Sequence, residues 1–459
     1  MRNMKYRSFI LYIVIIAFLG GMGLFVYEFI TQAEKWAFSS INRHLSEGTM
    51  SGGKIFDIND EVLAYTQNGK RIYHKDEQTR MAMLHVVGDG SVLIPTCVQN
   101  KYRNELFGYN AVTGFGAPSI FNSSQNIKLT LNSKVCAAVS KNFKGKKGTA
   151  IAYNYLTGEI ICMISLPTYD VNKKPDDQAL ETENYNGVYL NRAISASYTP
   201  GSIFKVLTAI AAIDYLDNVG SESFFCDKLK IINGEKITCM HKHGKLDLKN
   251  ALAKSCDIAF GDLAIKIGKE KMMTKMEHLG FNKQQYLDVI PLAKSNYNVK
   301  DASQADLGWS GIGQYTDSVN PLHMVKIMGA IANGGTSIEP RMIHSVLSDA
   351  TSEIIKFPKQ SSENLINPST AEAVKQLMRY TVQSKYGDSL FGNIPMCAKT
   401  GTAEVGQDKQ PNSWMVGFSY DKTFPIAFAT IVEEGGFGIK TAGPISAAMI
   451  KSIRSNFKQ

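Results

Sequence analysis

The chain has 459 residues, 44% of them hydrophobic and 20% charged, which calls for two or three folded units and excludes a disordered polymer. Its formal net charge of +9 suits an anionic surface or acidic polymer. No basic stripe with interleaved aromatics accompanies that charge, so no nucleic-acid partner is expected.

Phe9 to Tyr27 is free of charge over 19 residues, and as a helix it would span roughly 28 Å, close to the hydrocarbon thickness of a bilayer. Arg2, Lys5 and Arg7 precede it, which predicts a cytoplasmic tail over 1–8, an anchor over 9–30 and an extracytoplasmic remainder. The run is longer than a typical signal core and no A-x-A-type site follows, so an uncleaved anchor is expected over a cleaved signal peptide. A polar stalk is expected over 31–51. Short apolar runs broken by Gly and Asn then predict a small β-rich or α+β module over 52–147.

At Gly148 the pattern changes. Two apolar runs flanking Thr157-Gly158 predict a buried hairpin. Helical patterning follows from about Gly201 to Ala332, with one helix opening at Pro321 and closing at Asn333-Gly334-Gly335. Strands are expected over Ser413–Tyr420 and Pro425–Val432, and a last helix from near Pro444. This order predicts an α+β domain over 148–459 whose antiparallel sheet is built from both ends of its sequence and flanked by helices. In an exported chain, the odd number of cysteines, seven, leaves at least one thiol unpaired, and Cys226 and Cys239 are the pair placed for a local disulfide. Cys239 lies near His241 and His243, but its spacing from Cys226 fits no standard zinc pattern, so no metal is expected.

Three short motifs carry chemistry. In Thr199-Pro200-Gly201-Ser202-Ile203-Phe204-Lys205 a turn leads into an apolar helix, which puts Ser202 at a helix start and Lys205 one turn on, on the same face. A serine hydroxyl needs a base, and a desolvated lysine can serve. Ser255-Cys256-Asp257 lies at a helical junction. Lys399-Thr400-Gly401-Thr402 precedes a strand, where a lysine and two hydroxyls suit a carboxylate and the glycine admits a substrate backbone. Each motif alone is weak, since Ser-x-x-Lys and Ser/Asp pairs are common as caps.

Together, in this order and context, they resemble the serine penicillin-binding protein and β-lactamase superfamily. Asn191-Arg192-Ala193, Leu166-Pro167-Thr168-Tyr169-Asp170, Gly311-Ile312-Gly313-Gln314, Asn320-Pro321-Leu322 and Ala332-Asn333-Gly334-Gly335 resemble stretches of transpeptidase domains. Ile55-Phe56-Asp57 and His85-Val86-Val87-Gly88 resemble the opening of a class B pedestal. Only about 115 residues lie between anchor and transpeptidase region, too few for a glycosyltransferase domain, so the class B members are the better match.

The resemblance implies a peptidoglycan D,D-transpeptidase. Ser202 is the expected nucleophile and Lys205 its base; Ser255 relays a proton under the influence of Lys399. Thr400, Gly401, Thr402 and Asp257 bind substrate. It also implies β-lactams as inhibitors, stem peptides as substrate, a SEDS-type membrane glycosyltransferase as partner, and no metal or organic cofactor. A D,D-carboxypeptidase, a β-lactamase-type hydrolase and a non-catalytic scaffold of a wall-synthesis complex are the alternatives. One departure stands out: the family usually has Asn where this chain has Asp257. An amide donates to the substrate's acyl side chain, whereas an ionised carboxylate only accepts.

Overall fold

The computed structural model describes residues 2–37, 52–108, 124–347, 353–356, 362–406 and 409–457; the expected stalk beyond Ala37 lies outside them. Arg2–Ala37 form one helix. Its stretch Leu11–Glu28 has a mean hydropathy of 2.0, and none of it is buried among the described residues. A helix of 18 residues covers about 27 Å at 1.5 Å per residue, long and apolar enough to cross a membrane.

The first sheet has six strands, in the order Glu353–Lys356, Ile343–Leu347, Asn126–Leu129, Ile55–Phe56, Val62–Gln67, Lys70–Tyr73. Asn68-Gly69, both at positive φ, close the last hairpin with the paired left-handed conformation that a two-residue turn demands. Beside it the Asp57 carboxylate is fully buried. Oδ1 accepts from the N–H groups of Asn59 and Glu61 at 2.8 and 3.0 Å, and Oδ2 from the N–H and hydroxyl of Ser133 at 3.1 and 2.7 Å. Four donors offset the burial of that charge. Two of the six strands come from beyond residue 340, so this sheet draws on both sides of the boundary expected at 147/148.

The second sheet is antiparallel, in the order Met396–Ala403, Asn412–Ser419, Ile426–Val432, Gly148–Asn154, Ile160–Leu166. Both ends of the sequence build it, as expected. The strands Asn412–Ser419 and Ile426–Val432 are buried at every position, because helices cover both faces. On one, Thr430 takes a hydrogen bond of 2.8 Å from Ser446 of the helix Ala442–Asn456. On the other, Tyr153, paired with Ala427, lies against Gly329 of the helix Pro321–Ala332, where a Cβ would meet its hydroxyl at 1.8 Å. Residues 427 and 430 differ in parity, so they point to opposite faces.

Pro321–Ala332 is buried all round, capped by Asn320 Oδ1 and opened by proline at its first position. The stretch expected to be helical from 201 to 332 also contains two-stranded ribbons. Phe224–Cys226 pairs with Gly244–Leu246, Leu229–Ile232 with Glu235–Thr238, and Tyr286–Leu287 with Ile290–Pro291. The second turns at Asn233-Gly234, both at positive φ, a hairpin signal that the surrounding helical pattern hid.

Candidate active site

Pro200 and Gly201 bend the chain so that Gly201–Ile203 form a 3-10 turn before the helix Lys205–Tyr215. Ser202 therefore sits on that turn, just ahead of the α-helix. Gly201 has φ of +57°, and a Cβ there would lie 2.7 Å from the carbonyl of Thr402. Both the conformation and the contact require glycine. The turn and the motif strand Met396–Ala403 thus touch backbone to backbone, which fixes Ser202 against Lys399-Thr400-Gly401-Thr402. The helix that follows is buried from Lys205 to Ala212, and its first residue, Lys205, is completely buried.

Ser255 stands between the helices Leu248–Ala253 and Asp257–Ile267. The N–H groups of Ser255 and Cys256 reach back to Leu252 and Ala251 at 3.1 and 2.9 Å. These are the two bonds of a Schellman cap, which puts Ser255 in the left-handed position that glycine usually takes, at φ of +54°. That conformation costs a non-glycine residue about 1 kcal/mol. Asp257 opens the next helix, where the macrodipole favours a negative charge.

These elements bring Ser202, Lys205, Ser255, Asp257 and Lys399 into one network. Lys205 Nζ lies 2.9 Å from Ser202 Oγ, 3.0 Å from Ser255 Oγ, 2.9 Å from the Ser255 carbonyl and 2.6 Å from Asp257 Oδ1. That is one acceptor more than an ammonium has hydrogens. Lys399 Nζ, almost fully buried, donates to Ser255 Oγ at 3.0 Å and to the Thr400 carbonyl at 2.9 Å. Burial first, and then the charge of Lys205, push the Lys399 amine well below its ordinary range; Asp257 opposes them. Through its 3.0 Å contact Lys399 aims the Ser255 hydroxyl.

Met396–Ala403 is the edge strand of its sheet. Tyr386 Oη accepts from the Thr400 N–H at 3.1 Å and lies 2.9 Å from its hydroxyl. Gln314 donates to the Thr402 carbonyl at 3.4 Å. The open edge is therefore the one facing the backbone groups of Thr400 and Thr402, and by alternation the Thr402 N–H points there too. Thr402 Oγ1 accepts from the Gly438 N–H at 3.3 Å, which leaves its own hydrogen to donate. Gly401 lies against the Pro200 carbonyl, where a Cβ would approach to 2.9 Å. A cleft of about 420 Å³ opens over Ser255, Tyr386, Lys399 and Thr400.

Sequence reasoning did not single out Tyr386, because a lone tyrosine far from any motif carries no signal; nor did it single out Glu433. The latter accepts from Arg192 Nε at 2.8 Å and from the Tyr198 hydroxyl at 2.7 Å, bracing the approach to the Ser202 turn. Cys226 and Cys239 do approach one another, but as free thiols and in the company of His243 and Cys256.

Residues 148–453 match the family described as the penicillin binding protein transpeptidase domain, and the chain belongs to that family. Among named relatives, the peptidoglycan D,D-transpeptidase PbpA of Mycolicibacterium smegmatis is 27% identical over 324 residues, which are 66% of this chain and 65% of the relative. The chain thus matches just under two thirds of that relative's length. The D,D-transpeptidase MrdA of Salmonella typhimurium is 24% identical over a match that takes in 87% of this chain and 70% of the relative. Among solved structures, the ceftriaxone acyl-enzyme of penicillin-binding protein A from M. tuberculosis superposes with a TM-score of 0.77 at 24% identity, over 89% of this chain and 99% of the other. The fold is that of these class B penicillin-binding proteins.

Proposed function

We propose that this chain is a membrane-anchored peptidoglycan D,D-transpeptidase, with the anchor's N-terminus cytoplasmic and the catalytic domain outside. The observation that carries this reading is the position of Lys205 Nζ, within 3.0 Å of both Ser202 Oγ and Ser255 Oγ. A base that touches the nucleophile and a second hydroxyl at once can take a proton from one side and return it on the other.

Ser202 Oγ attacks the carbonyl carbon between the last two D-alanines of a stem peptide, and its proton passes to Lys205 Nζ. The oxyanion is received by the N–H groups of Ser202 and Thr402. Collapse breaks the peptide C–N bond. The leaving amine takes its proton from Ser255 Oγ, which Lys205 refills, and the product is a Ser202 acyl-enzyme. An acceptor amine from a neighbouring stem peptide then reverses these steps and forms the cross-link. The terminal carboxylate is held by the hydroxyls of Thr400 and Thr402. The Tyr386 hydroxyl donates to Thr400 and frees the threonine hydrogen for that purpose. Asp257 Oδ1 holds the Lys205 amine between the two serines.

The same serine accepts β-lactams, whose strained amide mimics the D-Ala-D-Ala bond. A SEDS-type glycosyltransferase is the expected partner, met through the anchor and the first sheet. The reading is tested with a D-Ala-D-Ala pentapeptide and an amine acceptor. Equimolar D-alanine and cross-linked product, both abolished in Ser202→Ala, support it. D-alanine with only the hydrolysed tetrapeptide would make the enzyme a carboxypeptidase instead.

A further inference from the structure

Ser202 lies beside Thr402, whose carbonyl is 2.7 Å from where a Cβ on Gly201 would stand. The scissile carbon therefore belongs at Thr402. The terminal carboxylate, held by the hydroxyls of Thr400 and Thr402, then points the leaving D-alanine toward Thr400, Lys399 and Ser255. Past those three residues the cleft of about 420 Å³ continues to a wall that carries Lys242, Lys254 and Lys385. One alanine fills only part of that volume, so the cleft has room for a larger group than the one that leaves.

The wall is of one sign. With Lys399 it holds four lysines, and no aspartate or glutamate lines the cleft among the described residues. Lys242 is paired with Asp227. Lys254 and Lys385 are exposed, and no carboxylate pairs with either among the described residues. An exposed lysine is ordinarily only a solvated charge, but the backbone places these two at the site. Lys254 immediately precedes Ser255, and its N–H is bonded to the Asn250 carbonyl at 2.9 Å, closing the helix Leu248–Ala253. Lys385 immediately precedes Tyr386, whose hydroxyl lies 2.9 Å from that of Thr400. Cations gathered around a cleft focus the field and raise the local concentration of anions.

We infer that Lys254 and Lys385 form an acceptor subsite, which selects a stem peptide with free carboxylates over one whose carboxyls are amidated. The inference rests on the transpeptidase reading. By microscopic reversibility the acceptor amine takes the place of the leaving amine, so the rest of the acceptor runs into the cleft. The amine forms its bond to the acyl carbon as the ester C–O bond to Ser202 Oγ breaks. Its proton passes through Ser255 Oγ and Lys205 Nζ to Ser202 Oγ. Lys254 and Lys385 touch no reacting atom. They determine which acceptor is captured, and so act on the acceptor concentration required and not on the chemical step. Amidation keeps the shape of a carboxyl and removes its charge, which isolates what the two lysines read.

The test uses the full-length protein in detergent and a donor pentapeptide ending in D-Ala-D-Ala. The acceptor is a tetrapeptide stem with a diaminodicarboxylic acid at its third position, offered once with its carboxyls free and once amidated. The readout is the acceptor concentration at which half of the acyl-enzyme gives cross-linked product and half is hydrolysed. In wild type this is expected to be about fivefold lower for the free acid at low salt, the size of effect that two exposed charge contacts supply. The ratio is expected to approach one in about 1 M salt, where the screening length is about 3 Å. Lys254→Gln and Lys385→Gln are each expected to reduce the low-salt ratio, and the double variant to abolish it. Lys236→Gln, an exposed lysine outside the cleft, is expected to retain it. Equal half-points in wild type, or a preference that survives in the double variant, would overturn the subsite while cross-linking itself continued. Failure of the donor to acylate Ser202, or hydrolysis with no transfer to either acceptor, would instead overturn the transpeptidase reading and the subsite with it.

Discussion

Lys205 has four acceptors within 3.0 Å, and one of them, Asp257, stands where the resemblance leads one to expect asparagine. Its Oδ1 is committed to the lysine at 2.6 Å, and neither carboxylate oxygen can donate to a ligand. In Asp257→Asn the amide oxygen keeps the lysine contact and the amide nitrogen gains two hydrogens for the acyl side chain of a ligand. One added hydrogen bond is worth about 1 kcal/mol, so penicillin is expected to acylate the variant about fivefold faster at low drug concentration. A slower reaction, measured by stopped-flow or quenched mass spectrometry, would mean that the carboxylate's charge serves Lys205 directly.

Among elements, the turns show most clearly how sequence becomes site. Gly201 and Ser255 both adopt left-handed backbone, one because it touches Thr402 and one because a helix must end there. Asp288 does the same between the strands Tyr286–Leu287 and Ile290–Pro291, where its carboxylate accepts from the Met342 N–H at 3.0 Å. Burial raises that carboxyl from 3.8 to about 6. A carboxyl raised on folding contributes stability that is fully present below its unfolded value and is lost as pH rises through the folded one. Wild type therefore loses about 2 kcal/mol between about pH 4 and pH 7 from this group. Asp288→Asn keeps an acceptor and suits the left-handed turn, so its advantage over wild type in urea unfolding is expected to grow across that window. An advantage independent of pH would contradict the assignment.

At the scale of the whole molecule, the expected division at residue 148 is crossed by the packing. One continuous core runs from Ile55 to Ile453. Thr130 Oγ1 donates to the Ile160 carbonyl at 2.8 Å. Arg80 forks onto Asp170 at 2.6 and 2.8 Å, and the Thr168 hydroxyl reaches the Met81 carbonyl at 2.6 Å. A fragment starting at Gly148 would strip Ile343–Leu347 of its partner Asn126–Leu129 and expose that side as an aggregation-prone edge. Such a fragment is expected to aggregate in size-exclusion chromatography, whereas residues 52–459 remain monodisperse; a soluble, penicillin-binding 148–459 would refute the shared core.

The same packing explains what could be read in advance. The three motifs that the fold brings together were legible because the chemistry they resemble demands fixed residue types at short spacing. The central sheet was legible because its strands are long and mostly apolar. The pairing of Ile343–Leu347 with Asn126–Leu129 was not, since nothing local marks a strand's partner some 200 positions away. Tyr386 acts through one hydroxyl placed by tertiary packing. The gathering of Cys226, Cys239, His243 and Cys256 was hidden because they come from separate elements.

The central claim, that Ser202 is an activated nucleophile in a penicillin-binding site, is tested most directly by intact-mass spectrometry of the full-length protein incubated with a penicillin. A one-to-one adduct that persists for many minutes and is absent in Ser202→Ala is the predicted result. No adduct on folded protein, in wild type and in Asp257→Asn alike, would contradict the catalytic assignment.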